Sequence, residues 1–307
     1  SYINGYSADI TFDTGAGVNM ISDSLARKFN LTSIDGYVTV AGVGRRKGQY
    51  AIAEKIQIGN ISVSDVPFVI MDFRTGNTEA DQHTHHFSAI LGSELMLHLK
   101  DLTVDFIKRE ITVPSVAPEK SVCAPNMCFG EGMTLNCIGR ILDKPVLMNI
   151  DIGDAAYGTL GVSFFNDYKD YIMAYAEADS IRRAGLGGVI VSRCYRINNI
   201  PVSLGGKTIE TPGLVVETEP SSAAMHFDCN LGLKALMRFD KIRFNLVDFV
   251  LTTYPQEQVF LNNSVYSIPS FRLTNEKKPS NLQTLGIISL GVTKALLYPD
   301  APANPDL

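Results

Sequence analysis

Apolar and polar positions alternate over short stretches of this chain, which predicts β-strands. Such stretches, rich in β-branched residues and bounded by Gly, Asn or charged turns, are YVTVAGV, AIAEKIQIGNISV and DLTVDFIKREITV. Two short helices are expected in each half of the chain: one is SDSLARKFN at 22–30, which Ser22 or Asp23 can cap, and the other is SELMLHL in the first half and KALMRF in the second. The pattern therefore predicts an all-β protein with a few short helices.

The same pattern occurs twice along the chain. SADITFDTGAG, around Asp13, has a counterpart in PVLMNIDIGDAA, around Asp151; VAGVG has one in RAGLG; and Leu91-Gly92 has one in Leu231-Gly232. The three displacements are 138, 143 and 140 residues, taken from 13 to 151, from 41 to 184 and from 91 to 231. Such a constant offset indicates an internal duplication.

The duplication divides the chain into two homologous lobes. We assign residues 1–113 to the first lobe, 114–135, with three prolines and no clear period, to a linker, and 136–252 to the second lobe. The tail, 253–307, stays open: VFLNNSVYSIPSFRL predicts one or two strands that complete a sheet between the lobes, and LGIISLGVTKALLYPD fits a helix or a strand equally.

Composition narrows the class of protein. With 45% hydrophobic and 19% charged residues the chain is typical of globular proteins, and its net charge of -5 argues against a nucleic-acid partner. No apolar run approaches the roughly 20 residues that span a bilayer, so no membrane partner is expected. The start at Ser1 rather than Met favours an exported chain, secreted or periplasmic, and no other pattern bears on the compartment.

The cysteine pattern does not indicate a disulfide scaffold. There are five cysteines, an odd number spread over 307 residues. Cys123 and Cys128 are close enough in sequence to form a disulfide or to hold a metal, but no second ligand pair follows at zinc spacing. We expect neither a metal nor an organic cofactor.

The stretch TFDTGAGVNMIS carries the candidate chemistry. Its apolar strand ends in a carboxylate, Asp13, followed by Thr14, Gly15 and Ala16, although Asp and Gly are poor strand formers. One interpretation is an ordinary turn in which the Asp accepts backbone N–H groups. The other is an active carboxylate, and a second copy of the loop at Asp151 favours it.

Asp-Thr-Gly-Ala at the end of an apolar strand, followed about eighty residues later by Ile-Leu-Gly and a short helix, resembles a lobe of a retropepsin-like or pepsin-like aspartic peptidase. The resemblance implies two lobes related by a pseudo-two-fold axis, each giving one Asp to a cleft. Two carboxylates about 3 Å apart share one proton, so one activates a water while the other donates to the substrate carbonyl. The implied activity is peptide-bond hydrolysis with an optimum on the acid side of neutral.

Roles for individual residues follow from this resemblance. Asp13 and Asp151 would be the catalytic pair. Thr14, Gly15, Ala16 and Gly153 would support the two active-site loops, with the Thr14 hydroxyl bracing one loop against the other. Gly42 and Gly44, in AGVGRRKGQYA, would lie in the hairpin that covers a peptide or protein substrate.

The second loop departs from the family pattern, since it contains Asp-Ile-Gly-Asp. Ile152 has no hydroxyl for bracing, and Asp154 adds a third carboxylate that raises the pKa of its neighbours, although a turn or cap role is favoured for it. One alternative is therefore a catalytically degenerate protein that binds peptides or has a structural role. Another is that the first lobe forms a homodimer with two copies of Asp13, although a monomer is favoured.

Two further clusters have a functional and a simpler interpretation. DQHTHH, with Asp81, His83, His85 and His86, has metal-ligating side chains but the composition of a surface loop. The cluster at Arg45–Lys47 suggests either a preference for acidic substrates or a solvated hairpin tip. Glu94 is interpreted as a solvated helix residue.

Overall fold

The computed structural model describes residues 1–84, 89–115, 120–142, 144–220, 228–255, 270–275 and 284–286. Within these residues the chain is mostly β-sheet with short helices, so the predicted all-β class is confirmed. No helix in these ranges is both long enough and apolar enough to cross a membrane.

The first sheet is formed by residues 2–91. Its strands are β1 (Tyr2–Ile3), β2 (Tyr6–Ser7), β3 (Thr11–Phe12), β4 (Met20–Ser22), β5 (Thr32–Ala41), β6 (Arg45–Ile58), β7 (Ile61–Met71) and β8 (Ala89–Leu91). They are ordered β2-β1-β6-β7-β4-β8-β3, with β5 paired to β6 as a long hairpin. The chain continues as β9 (Asp101–Asp105) and β10 (Glu110–Val113).

The second sheet is formed by residues 127–232. Its strands are β11 (Met127–Phe129), β12 (Leu135–Ile141), β13 (Lys144–Asp151), β14 (Gly158–Leu160), β15 (Glu177–Gly185), β16 (Gly188–Ile197), β17 (Ile200–Leu204), β18 (Lys207–Thr211), β19 (Leu214–Glu217) and β20 (Cys229–Gly232). The order is β15-β16-β19-β14-β20-β13-β12-β17-β18, with β11 beside β12. Part of the predicted linker, at β11, is thus a strand.

The two sheets have the same pairing pattern around the candidate loops. In the first sheet β3 is parallel to β8, β8 is antiparallel to β4, and β4 is parallel to β7. In the second sheet β13, β20, β14 and β19 have the same neighbours in the same directions. Each half also contains a long hairpin with a glycine-containing turn, β5–β6 or β15–β16.

A third sheet joins strands from both halves. Its remaining strands are β21 (Phe239–Asn245), β22 (Val250–Pro255), β23 (Ser270–Asn275) and β24 (Thr284–Gly286), in the order β22-β21-β9-β10-β23-β24. β9 pairs antiparallel with β21, and β23, from the tail, pairs parallel with β10. The rest of LGIISLGVTKALLYPD, from residue 287 on, lies outside the described residues. One buried apolar cluster contains residues of both halves.

The helices are α1 (Asp23–Lys28), α2 (Thr78–Thr84), α3 (Ser93–Leu99), α4 (Val162–Asp167), α5 (Lys169–Tyr175) and α6 (Leu233–Leu236), with a 3₁₀ turn at Glu131–Met133. α1 is confirmed with its cap, since Ser22 accepts a bond of 3.4 Å from Leu25 N–H, and α3 is confirmed. The predicted helix at 234–239 ends early because Phe239 begins β21.

Sequence patterns missed three helices. α4 and α5 are rich in aromatic residues, which have no strong helix propensity, and they form because Phe164 and Ile172 are buried against the sheet. The predicted surface loop over α2 is wrong for residues 78–84. There Asn77 Oδ1 accepts from Ala80 N–H at 3.0 Å, a contact that starts a helix.

Candidate active site

Asp13 leaves strand β3 and enters a tight turn. Its N–H donates to Leu91 O at 2.9 Å, which continues the pairing of β3 with β8. One of its carboxylate oxygens, Oδ1, accepts from Gly15 N–H at 2.8 Å. The turn bends the backbone around the carboxyl group of Asp13, which is buried and held by its own loop.

Asp151 is the last residue of β13 and is fully buried. The backbone turn is the same, with Asp154 N–H donating to Asp151 O at 3.3 Å as Ala16 N–H donates to Asp13 O at 3.3 Å. A side chain from β20 also contacts the carboxylate, since Asn230 Nδ2 donates to Asp151 Oδ2 at 3.0 Å.

The two loops face each other at van der Waals contact. A Cβ atom on Gly15 would lie 2.4 Å from Asp151 Cγ, and one on Gly153 would lie 2.3 Å from Asp13 Cγ. Only glycine leaves room for the opposite carboxyl group, and the Asp13 and Asp151 carboxyls are within hydrogen-bond reach of each other. The structure thus brings together the residues of both predicted loops.

Thr14 links the two loops through its hydroxyl group. The hydroxyl donates to Ile150 O at 2.5 Å and accepts from Ile152 N–H at 3.0 Å, both in the opposite loop. Ile152 occupies the equivalent position there and is buried in the apolar core instead. The bracing is therefore one-sided, as the difference between Thr14 and Ile152 predicts.

Burial dominates the electrostatics of the pair. It raises the pKa of Asp13 to about 7, against the opposing hydrogen bond from Gly15. Burial also raises the pKa of Asp151 well above its usual range, and the negative charges of Asp13 and Asp154 raise it further. The two carboxyls interact strongly, so they titrate as a pair that shares one proton.

Asp154 lies at the edge of this pair. Its Oδ1 accepts from Ala156 N–H at 2.9 Å, the turn role that its sequence context favours. Its Oδ2 shares the Asn230 amide with Asp151, at 3.0 Å to each carboxylate. Burial raises the pKa of Asp154 as well, and its charge raises the pKa of both Asp13 and Asp151, as predicted.

Sequence reasoning missed Asn230. It directly precedes Leu231-Gly232, where Ile90 precedes Leu91-Gly92 in the first half. The duplication therefore contained the signal, an apolar residue replaced by an amide at a matched position.

The turn of the predicted hairpin contacts the tip of the matching hairpin in the second half. Gly42 and Gly44 lie between β5 and β6, and Gly44 N–H donates at 2.8 Å to Leu186 O, at the tip of hairpin β15–β16. Leu186 is 1% exposed and packs in a small apolar cluster of the first half. Both hairpin tips therefore meet, and a Cβ on Gly44 would lie 2.7 Å from Gly187 O.

Among the candidate metal ligands at 81–86, the structure describes the contacts of Asp81. Asp81 accepts from Thr75 N–H at 2.6 Å and from the Thr75 hydroxyl at 2.7 Å, so it stabilises a turn. His85 and His86 lie outside the described residues, as does the side chain of His83.

The structure also describes the basic cluster, Glu94 and the five cysteines. Lys47, in the basic cluster, lies 4.5 Å above the ring of Tyr37. The interpretation of Glu94 as solvated is wrong, because it is half-buried, accepts from Asn19 Nδ2 at 3.4 Å, and has a pKa raised by burial. All five cysteines carry free thiols.

Comparison with known proteins agrees with this geometry at the level of the family. Residues 1–95 match the family model described as aspartyl protease. The match supports a retropepsin-like aspartic peptidase and, in general terms, an aspartic protease function.

Comparisons with curated sequences and with solved structures do not extend the family match. A search of curated protein sequences finds no significant match. Among solved structures, "Crystal structure of conglutin gamma, a unique basic 7S globulin from lupine seeds" is similar at 10% identity and a TM-score of 0.35, over 69% of each chain. A likeness at that level carries no argument about this chain.

Proposed function

We propose that this chain is an aspartic endopeptidase in which Asp13 and Asp151 activate a water molecule in a cleft between two lobes of one chain. The observation that carries the proposal is the buried pair itself, two carboxyl groups within hydrogen-bond reach on facing loops. The matched strand pairings around both loops support the two lobes, at 1–113 and 136–252.

The hydrogen bonds around the pair suggest different roles for the two carboxyls. Asp13, which accepts from Gly15 N–H, is the ionised member and takes a proton from water. Asp151 keeps the proton and donates it to the carbonyl oxygen of the scissile peptide. Thr14 and the two facing glycines hold the pair in place, and the hairpin with Gly42 and Gly44 covers the peptide. This mechanism requires no metal or organic cofactor.

A second candidate function is peptide binding without turnover. The features that favour it are Ile152, which removes half of the bracing, and Asp154, which disfavours the ionised pair. Under this alternative the cleft would still bind an extended peptide, but the pair would stay protonated and would not activate water.

Cleavage of denatured casein between pH 3 and 8, with and without a statine-type inhibitor, separates these functions. Inhibitor-sensitive cleavage that disappears in Asp13→Asn and in Asp151→Asn supports the peptidase with its dyad. Asp179→Asn, which alters an exposed carboxylate paired with Arg196, is the control and should remain active.

The remaining outcomes select between the alternatives. Activity that persists in Asp151→Asn but not in Asp13→Asn would indicate a homodimer with two copies of Asp13. A folded wild-type protein that binds the inhibitor without cleaving casein would favour the binding function.

A further inference from the structure

The strand pairings match residues on the two sides of the candidate pair. Ile90 on β8 pairs with Met20 on β4, and Asn230 on β20 pairs with Thr159 on β14. The β4–β7 and β14–β19 pairings extend this correspondence. Met20 pairs with Val69 and Thr159 pairs with Val215, so Met71 and Glu217 occupy matched positions two residues further on.

On the first side these positions form an apolar cluster. It follows directly on the Asp13 loop, through Ala16, and lies under the hairpin β5–β6. The members are Ala16, Val18, Met20, Val38, Val40, Val69, Met71 and Ile90, with Leu186 from the opposite hairpin. Leu186, from the opposite hairpin tip, shows that a branched apolar side chain packs well among these residues.

On the second side the matched positions are polar and charged. Arg183, on hairpin β15–β16, is ion-paired with Glu217 and donates to the Thr159 hydroxyl at 2.7 Å. The side chain of Arg183 is 15% exposed and that of Glu217 is 2% exposed. We call Asp154, Thr159, Arg183, Glu217 and Asn230 the polar cluster.

The polar cluster is continuous with the candidate pair. The amide of Asn230 contacts both Asp151 and Asp154, and the charge of Arg183 acts on Asp154. Asn149, whose Nδ2 donates to Asn230 Oδ1 at 2.6 Å, has a buried Oδ1 without a donor in the part of the chain that the structure describes.

The charges and acceptors of the polar cluster favour a donor. It has two carboxylates, Asp154 and Glu217, and the candidate pair beside it is acidic too, whereas the positive charges that act there are those of Arg183 and Lys234. A carboxylate side chain would meet like charges, and an apolar one would cover polar groups without replacing their hydrogen bonds. A cationic side chain meets the like charges of Arg183 and Lys234, but the acidic groups outnumber these, and its N–H groups can donate to the acceptors.

We infer that the cleft is asymmetric in specificity, with an apolar substrate side chain bound on the Asp13 side and a lysine or arginine side chain bound at the polar cluster on the Asp151 side. This inference rests on the proposed function for its setting, since it names the substrate class of that same cleft. Unlike the proposed function, it concerns only the binding of substrate side chains, so it holds whether or not the pair is competent for turnover.

Binding of non-hydrolysable peptides tests the inference without turnover. The probes are statine-centred peptides that carry either lysine or norleucine, which have similar stems, at each flanking position, and titration calorimetry measures their Kd. For the wild-type protein we expect lysine to bind about tenfold more tightly at a position on one side of the statine, and norleucine more tightly on the other.

The variants replace the two paired charges of the polar cluster with residue types found in the apolar cluster. Arg183→Val with Glu217→Met removes both charges together, so neither is left buried and unpaired, and the lysine preference should disappear. Arg193→Val, an exposed site on the same hairpin, should keep it. If the double variant does not fold, Glu217→Gln should still weaken the lysine preference several-fold.

Each result decides for or against the inference. A norleucine preference on both sides of the statine, or a lysine preference that survives in the double variant, would overturn it. Asymmetric binding without casein cleavage would support it while contradicting the proposed peptidase activity. Failure of every peptide to bind would count against both.

Discussion

Replacement of Thr14 by valine tests whether the two candidate loops depend on one hydroxyl group. Valine keeps the shape of the side chain but removes a donor to Ile150 O, at 2.5 Å, and an acceptor for Ile152 N–H, at 3.0 Å. Both backbone groups are buried, and an unsatisfied buried group costs about 1–3 kcal/mol. We therefore expect Thr14→Val to lower the free energy of unfolding by about 2–4 kcal/mol.

The matched control is Thr211→Val. Thr211 is fully buried, and its hydroxyl has no hydrogen-bond partner within the described residues. The same substitution there removes no bond and should change stability by less than about 1 kcal/mol, in either direction.

Urea unfolding at equilibrium, followed by both fluorescence and circular dichroism, measures the two effects, with coincident transitions as the test of two-state behaviour. If Thr14→Val and Thr211→Val lost stability equally, the bracing role of the Thr14 hydroxyl would be refuted. A full loss at Thr14 with unchanged casein cleavage would limit that role to stability.

Three further results are expected. Burial raises the pKa of Asp13 to about 7, so protonation of Asp13 stabilises the folded state fully at pH values below the pKa of an unfolded Asp, and this stabilisation is lost as the pH rises towards 7. The Tm of Asp13→Asn should therefore rise relative to that of the wild type between pH 4 and 7. A constant difference in Tm would contradict this. Asp154→Asn removes a charge that raises the pKa of both Asp13 and Asp151, so the alkaline limb of casein cleavage should move to lower pH, whereas an unmoved limb would rule out that coupling. Gly44→Ala places a Cβ against the opposite hairpin tip and should break the bond to Leu186 O; hydrogen exchange at the Gly44 amide should accelerate at least tenfold, and unchanged protection would show that the tips adjust.

Local rules predicted the parts of the molecule that depend on local sequence. The Asp13 turn, the Ser22 cap and the alternating strands follow from residues close together in the chain. α4 and α5 could not be predicted in this way, because their aromatic side chains become helical through burial against a sheet assembled from distant segments.

The candidate site shows the same division. Asp13, Asp151 and the missing hydroxyl at Ile152 were visible in the motif and its repeat. The pairing of Arg183 with Glu217 was not, because a hairpin and a sheet strand 34 residues apart must first be placed together. A comparison of the two repeats beyond the Leu-Gly pairs would have identified Asn230 as an unusual residue.

The third sheet has a practical consequence for any attempt to study one half of the molecule alone. β9 lies between β10 and β21, so a fragment that ends before residue 120 would expose the whole edge of β9. It would also lose Arg243, the ion-pair partner of the buried Asp101. An open strand edge beside an uncompensated charge favours self-association over folding, so we expect such fragments to aggregate even if their own sheet is intact.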